Sequence, residues 1–570
     1  MKSLNKRYLN LASLLLLILS SCSGNNTAGL YFQSEQNEIV KKEDIKIYFP
    51  KGNDIAYISL EDGVSIASMM RASSYNNDEY KYTINQNNEV ATIVDEKGTK
   101  AVFDLTKQTV TIENFDSFVL GYEKKALPLM TADLTNIKKS IKLVKEESSY
   151  TKGNEVTLNL NDYPSIKLER SDNNHGLLIP VAVFNDIFFS GAGGFNGIAY
   201  NLNNLYISTG LVSLGNKALT PIGKHYYGSA TTKKEVSKEF AQYVYDETTF
   251  NLDHFYGLKG IRNISSFKSF IKEKGLEEDL LSGNIEKMEE AYATLFYKCL
   301  EDGHTAYLAP SFYTDVEGFE VKDTSRSENQ IKNALENANM DKEREKNKLN
   351  KPFEIIGDTA FIFFDDFMEL DENKLYGNIT SEDIASNNTL LFAYAYKEIK
   401  KHPEVKKVVV DLVTNNGGDA TGLIYCLGTL IGKHYIDTMN PLTGSRSHIT
   451  FQTDINLDGN IDDKDVPLSK DYKIYFLDSK FAYSCGNLFP VAAKYNNPDV
   501  TILGDTTGGG TCVVSSIYNG YGAYAIKSGL MMLTKKTIEG YTHIEDGVKA
   551  DKPIEYEKMF DRNYIVKTIL

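Results

Sequence analysis

Tryptophan is absent from the 570 residues, cysteine occurs five times and histidine eight times. The missing tryptophan, beside 36 tyrosines and much Asn and Lys, reads as genome base composition rather than mechanism. Five cysteines in so long a chain exclude a disulfide framework, and Cys299, Cys426, Cys485 and Cys512 read as buried free thiols. Net positive charge is also missing. A formal charge of -15 and a pI of about 5.2 leave no electrostatic footprint for nucleic acid or an anionic membrane. No run beyond the N-terminal segment is apolar enough to span a bilayer, and there is no internal repeat.

What remains is an ordinary globular composition, 42% hydrophobic and 24% charged, in a chain too long for one core. Lys2, Lys6 and Arg7 precede a short apolar run at 11–19. That run falls short of the roughly 20 residues a membrane helix needs, so it reads as a signal peptide over 1–21. It ends Leu19-Ser20-Ser21-Cys22, which resembles the lipobox of bacterial lipoproteins. The resemblance implies lipidation of Cys22, a bilayer anchor at the bacterial envelope (periplasmic or surface-facing), and a polar linker over 22–43.

Residues 44–125 and 126–228 read as two small β-rich modules of short strands broken by polar turns. The second, around Leu178-Ile179-Pro180-Val181 and Leu205-Tyr206-Ile207, is loosely similar to amine-oxidase N-terminal modules, with no copper chemistry implied. From 229 to 350 the period becomes helical. Ile285, Met288, Tyr292, Leu295, Phe296 and Cys299 share one face of a helix that runs toward Glu301-Asp302-Gly303-His304, with Gly303 as its stop. The charged stretch 325–351 reads as a helix or a mobile connector. Beyond it, strands at 359–364, 406–413, 474–477 and 501–503 alternate with helices at 420–430 and 485–494, a βα-rich core.

Three loops in this half suit acyl transfer. Asn415-Asn416-Gly417-Gly418, after a buried valine strand, exposes backbone N–H groups of the kind an oxyanion hole needs. Ser484, in Tyr483-Ser484-Cys485-Gly486-Asn487, stands at a strand-to-helix turn, where it is either a helix N-cap or a nucleophile beside a favourable dipole. His304, in Asp302-Gly303-His304-Thr305, has the one side chain whose unperturbed pKa suits a base near neutrality.

In this order, and with Gly504-Asp505-Thr506-Thr507-Gly508-Gly509-Gly510, these motifs resemble peptidase family S41, the tail-specific or C-terminal-processing proteases. The resemblance implies an α+β multidomain chain with a ClpP/crotonase-like ββα spiral core at 351–570, a helical subdomain carrying the His, and small β-rich modules ahead. Gly508-Gly509-Gly510 lacks the lysine of the Ser–Lys branch, so the chain is similar to the tricorn-core branch, without a PDZ domain. That branch implies a Ser484–His304–Glu545 triad, with Asp546 competing for the acid role, and an oxyanion hole from Gly417 or Gly418 and Cys485. The implied activity is a serine endopeptidase acting on exported or extracellular polypeptides without a catalytic cofactor. The rival is a catalytically dead surface lipoprotein that binds peptides or partners.

Residues 454–465 match a twelve-residue EF-hand loop: oxygen side chains at Asp454, Asn456, Asp458, Asp462 and Asp465, Asn460 at position seven, Gly459 at six and Ile461 at eight. The terminal Asp makes the loop similar to dockerin-type loops, and a structural Ca²⁺ is the expectation.

Overall fold

Stretches of β-branched residues with no polar alternation can be buried on both faces, so they become the inner strands of parallel sheets. The computed structural model of the chain describes residues 26–34, 36–50, 53–74, 81–87, 89–119, 137–171, 176–191, 195–214, 218–538 and 540–569. The expected signal peptide and Cys22 lie outside the described residues. Among those described, no helix is long and apolar enough to cross a membrane. The chain forms two compact units. The first comprises 1–119, 155–326 and 514–529; the second comprises 120–154, 327–513 and 530–570.

The first unit is built from three small sheets and a group of helices. One sheet has the order Gly197–Tyr200, Asn204–Ser208, Asn26–Gln33, Ile39–Ile47. Part of the expected linker at 22–43 is therefore strand. Leu30 is fully buried, and Gly29 pairs with Asn204, a partner so far along the chain that no local pattern announces it. A five-stranded antiparallel sheet follows from Thr83–Gln86 to Val156–Asn159. The helix Leu60–Ser74 interrupts what reads locally as strands. Ser59 Oγ accepts the Asp62 N–H at 3.0 Å, and Leu60, Val64 and Ala67 are buried at helical spacing.

Helix Ile285–Thr294 continues as a widened π turn over Leu295–Cys299 and leads to His304. The expected stop at Gly303 falls earlier in the structure. Glu301 takes the left-handed conformation, φ 44°, and Arg262 donates to the carbonyls of Leu300 and Glu301. A side chain does here what a glycine C-cap does elsewhere.

The second unit holds a six-stranded sheet. Its inner parallel strands are β1 (Thr359–Phe363), β2 (Lys407–Asp411), β3 (Lys473–Asp478) and β4 (Thr501–Gly504), flanked by antiparallel Phe353–Ile356 and short parallel Lys552–Pro553. The crossovers include α1 (Asn388–Lys401), α2 (Ala420–Ile431) and α3 (Cys485–Asn496). Alternation sorts the faces. Phe361, Val409, Leu477 and Leu503 pack with Met340, Phe560 and Ile565 in one cluster, whereas Phe476 on the opposite face meets Phe489 of α3, ring centroids 5.1 Å apart. Both faces are covered, as the valine stretch requires. A second sheet of this unit pairs His434–Met439 with Arg446–Thr453. Ile141–Leu143 and Ser149–Thr151, expected in the second β-rich module, pair along Arg446–Thr453 instead.

Candidate active site

Ser484 joins the end of β3 to α3 at a backbone angle that side chains rarely adopt, φ 56° and ψ −121°. The Gly486 N–H donates to the Tyr483 carbonyl at 2.8 Å, so residues 483–486 form a tight turn with Ser484 where a type II′ turn ordinarily has glycine. Ser484 stands at the N-cap position of α3, yet its side chain makes no capping hydrogen bond. A capping serine has extended backbone and spends its hydroxyl on the helix. This one does neither. Holding a residue in such a conformation costs on the order of 1–3 kcal/mol, and strain of that kind collects at functional sites. The Ser484 N–H, donating to the Gly509 carbonyl at 2.9 Å, anchors the turn from below.

The Gly417-Gly418 turn packs against it. A Cβ on Gly417 would lie 2.7 Å from Ser484 Cβ, so only glycine permits this approach. Asn415, fully buried, organises the turn: its Oδ1 accepts the Gly417 N–H at 3.0 Å and its Nδ2 donates to the Phe364 carbonyl at 3.1 Å. The Gly417 N–H is therefore already spoken for, which narrows the expected oxyanion donors to Gly418 and Cys485. At the first position of α3, the Cys485 N–H has no intrahelical acceptor. Its thiol donates to the Gly418 carbonyl at 3.1 Å, and burial, with Asp419 nearby, pushes the thiol up to about 12. Such a thiol is not a nucleophile.

Glu545 lies in the same unit. Its Oε2 accepts the N–H groups of Gly510 at 3.1 Å and Thr511 at 2.8 Å, and the adjacent Asp546 is exposed. The triple-glycine turn that lacks the lysine thus helps to seat the Glu545 carboxylate. Asn487, one turn into α3, ties the pieces together: Nδ2 donates to the Ile544 carbonyl at 3.0 Å and Oδ1 accepts from Thr507 at 2.6 Å. His543 Nδ1 accepts the Glu545 N–H at 3.3 Å, which commits that nitrogen to the backbone.

His304 belongs to the first unit, where it is buried on a hydrogen-bonded loop. Its backbone N–H donates to Asp302 Oδ1 at 2.9 Å, Tyr256 donates to Asp302 Oδ2 at 3.2 Å, and Thr305 Oγ1 donates to the Phe296 carbonyl at 2.8 Å. Ser484, Glu545, Gly417, Gly418 and Cys485 all belong to the second unit.

Two aspartates at the strand ends have roles that the sequence does not show, although Asp411 opens the Asp-x-x-x-Asn-x-Gly-Gly turn. Asp411, at the end of β2, is buried against Arg344, which donates from Nη1 at 3.0 Å and Nη2 at 3.1 Å, with Arg562 Nη1 at 2.7 Å from Oδ2. Burial would raise its pKa, but the two guanidiniums outweigh burial and hold it well below the usual carboxylate range. Asp478, at the end of β3, is fully buried with neither carboxyl oxygen hydrogen-bonded. Burial first, and ionised Asp411 second, push its pKa well above the ordinary value. The folded chain thus holds a proton that the unfolded chain releases near pH 4, so stability falls as pH rises from about 4 toward the folded pKa. The expected contribution is about 1.4 kcal/mol per pH unit in that window. Asp478→Asn should remove that slope in urea unfolding followed against pH; a variant with the wild-type slope would place the proton elsewhere.

Residues 454–465 form a hydrogen-bonded loop in the second unit, with the Asp454 Oδ2 accepting the Gly459 N–H at 2.7 Å. Among the described residues, no group of three or more His, Cys, Asp or Glu side chains is gathered as a metal site. Asp458 and Asp462 turn their carboxylates onto the N–H groups of Asn460 and Lys464.

No curated protein matches the chain. Among solved structures it is similar to a peptidase of Parabacteroides merdae, with 16% identity over 58% of this chain and 95% of that one, TM-score 0.38. It is also similar to the photosystem II D1 C-terminal processing protease, with 16% identity over 35% of this chain and TM-score 0.25. The match spans only 43% of that protease's length. The tricorn protease matches at 16% identity over 41% of this chain and 19% of its own, TM-score 0.23. The family model of peptidase family S41 matches residues 375–553, the stretch that carries Gly417, Gly418, Ser484, Cys485 and Glu545.

Proposed function

We propose that the chain is an exported, lipid-anchored serine endopeptidase, with Ser484 as nucleophile, His304 as general base and Glu545 as the acid that orients the imidazole. The observation that carries this reading is Ser484 itself: a non-glycine residue in a glycine conformation at a helix N-terminus, with a side chain that does not cap. We take the strands and helices of residues 351–570 as the ClpP/crotonase-like ββα spiral, and Cys22 as the lipidated residue.

Each step follows from ordinary acyl-transfer chemistry. His304 removes the Ser484 hydroxyl proton as Oγ attacks the peptide carbonyl carbon, and the carbonyl electron pair moves onto oxygen. The N–H groups of Cys485 and Gly418 hold that oxyanion, each such donor contributing about 3 kcal/mol in comparable sites. Collapse expels the amine, which takes the proton from the imidazolium, and leaves an ester on Ser484. Water, deprotonated by the same imidazole, then attacks the ester carbon; collapse breaks the bond to Ser484 Oγ, which takes the proton back from the imidazolium as the acid leaves. Glu545, seated on the Gly510 and Thr511 amides, arrives pre-oriented and stabilises the imidazolium.

Fluorophosphonate labelling of the full chain tests the assignment. Wild type should label at a single serine, His304→Ala should lose labelling, and Glu545→Gln should slow it on the order of 10²-fold or more. Labelling that survives His304→Ala sinks the His base. A wild-type chain that never labels, and releases nothing from a casein digest, would favour the peptide-binding lipoprotein.

A further inference from the structure

Asp454 is buried completely, and only half of its carboxylate is satisfied. Oδ2 accepts the Tyr376 hydroxyl and the Gly459 N–H, both at 2.7 Å, whereas Oδ1 faces no donor. A buried carboxylate oxygen without a partner is costly, and native proteins rarely leave one so. Its setting supplies the remedy. Asp454 opens the loop whose oxygen side chains recur at Asn456, Asp458, Asp462 and Asp465, with Gly459 left-handed at φ 85°. Asp465 closes it: Oδ1 accepts the N–H groups of Ile455 at 2.7 Å and Asn456 at 3.2 Å, so the last residue of the loop folds back onto the backbone that follows the first.

We infer that residues 454–465 bind a Ca²⁺ ion, with Asp454 Oδ1 as the preformed ligand and the exposed carboxylate of Asp458 swinging onto the ion. An all-oxygen set of carboxylates, the Asn456 amide and the Asn460 carbonyl suits a hard cation. The flexible twelve-residue spacing favours Ca²⁺ over Mg²⁺, which demands a tighter octahedron. The ion acts as a staple. Asp454 follows the strand Arg446–Thr453, its N–H donates to the Ser140 carbonyl at 2.9 Å, and its carboxylate holds Tyr376. Ser140 in turn gives its N–H to Glu372 at 2.8 Å. Filling the loop therefore locks the end of that strand to the segments 138–140 and 372–376. The loop lies between this strand and β3, whose far end leads to Ser484, so the ion stabilises the scaffold and takes no part in proton transfer.

The chain has no tryptophan, so tyrosine is its strongest luminescence sensitiser, and Tyr376 touches the first ligand. Tb³⁺ added to the full chain should luminesce on tyrosine excitation, and Ca²⁺ should displace it at about 10⁻⁵–10⁻³ M, where Mg²⁺ does not. Ca²⁺ at 10 mM should raise Tm by about 5 °C over chelator, by binding the folded chain alone. Asp458→Asn with Asp465→Asn should weaken Tb³⁺ binding at least tenfold and abolish the Tm shift. A wild-type chain with no Ca²⁺-dependent shift overturns the site, whatever the variants do. Equal response to Mg²⁺, or an undiminished response in the double variant, overturns it too. Fluorophosphonate labelling of the same samples reports the serine site separately, so neither failure can be mistaken for the other.

Discussion

Ser484→Gly yields a chain that is more stable than Ser484→Ala and equally inactive. Both substitutions remove the hydroxyl, and with it labelling and on the order of 10⁴-fold or more of kcat. Alanine keeps the Cβ that φ 56° disfavours, whereas glycine occupies this angle without strain. Relief of strain of roughly 1–3 kcal/mol, less the backbone entropy that glycine loses on folding, leaves a net gain of about 1 kcal/mol. Urea midpoints of the two variants decide the matter. If glycine is no more stable than alanine, the conformation is unstrained, and the central support for a nucleophile at 484 goes with it. Strain kept in a structure that could have placed glycine there signals a side chain that the site requires.

The second large effect is expected 73 residues before the serine turn, at Asp411. Arg344→Met or Arg562→Met should cost about 3–5 kcal/mol, because either change leaves a buried charge short of its partner. The geometry is closed on every side. The Arg344 guanidinium lies 3.8 Å from the Phe363 ring centroid and that of Arg562 lies 4.5 Å from Phe361, so neither can turn to water when the other is lost. Replacing all three charged residues with apolar ones of similar size should cost less than either single change, since no fully buried charge is then left uncompensated and only the half-buried Glu354, 3.3 Å from Arg562 Nε, loses a partner. Denaturant unfolding of the singles and the triple measures this contrast, and single variants within 1 kcal/mol of wild type would refute the clamp. Acid should act in the same direction. Asp411 has a lowered folded pKa, so its contribution is full above about pH 4 and is lost as pH falls further toward the folded value. Because Asp411 Oδ1 also accepts the Val413 N–H at 3.2 Å, loosening the clamp frees the segment that leads to Asn415 and Gly417.

Local chemistry made some of this chain readable in advance. The valine run at 408–410 is a fully buried inner strand because nothing in it can face water. The glycine pair at 417–418 and the turn before α3 were visible because tight turns need particular residues at particular places. Asn415 and Asn487 lay inside the same motifs, but their roles did not show, since a buried amide's partners are decided by packing. Glu545 and Asp546 could not be separated by sequence. The fold separates them by giving one of them two backbone amides and leaving the other exposed.

By itself, the sequence determined the strand and helix period of the second unit, the glycine turns, the serine between β3 and α3, and the twelve-residue oxygen loop. These depend on residues close along the chain, where sterics and periodicity act. Tertiary structure alone decided that residues 26–33 are a strand, that Glu301 ends the His304 helix, that the Gly417 N–H is taken by Asn415, and that Asp411 is held by arginines 67 positions before it and in the C-terminal helix. Hydrogen bonds and ion pairs between distant segments carry no local signature, because the groups acquire their meaning only when the chain has brought them together and excluded water.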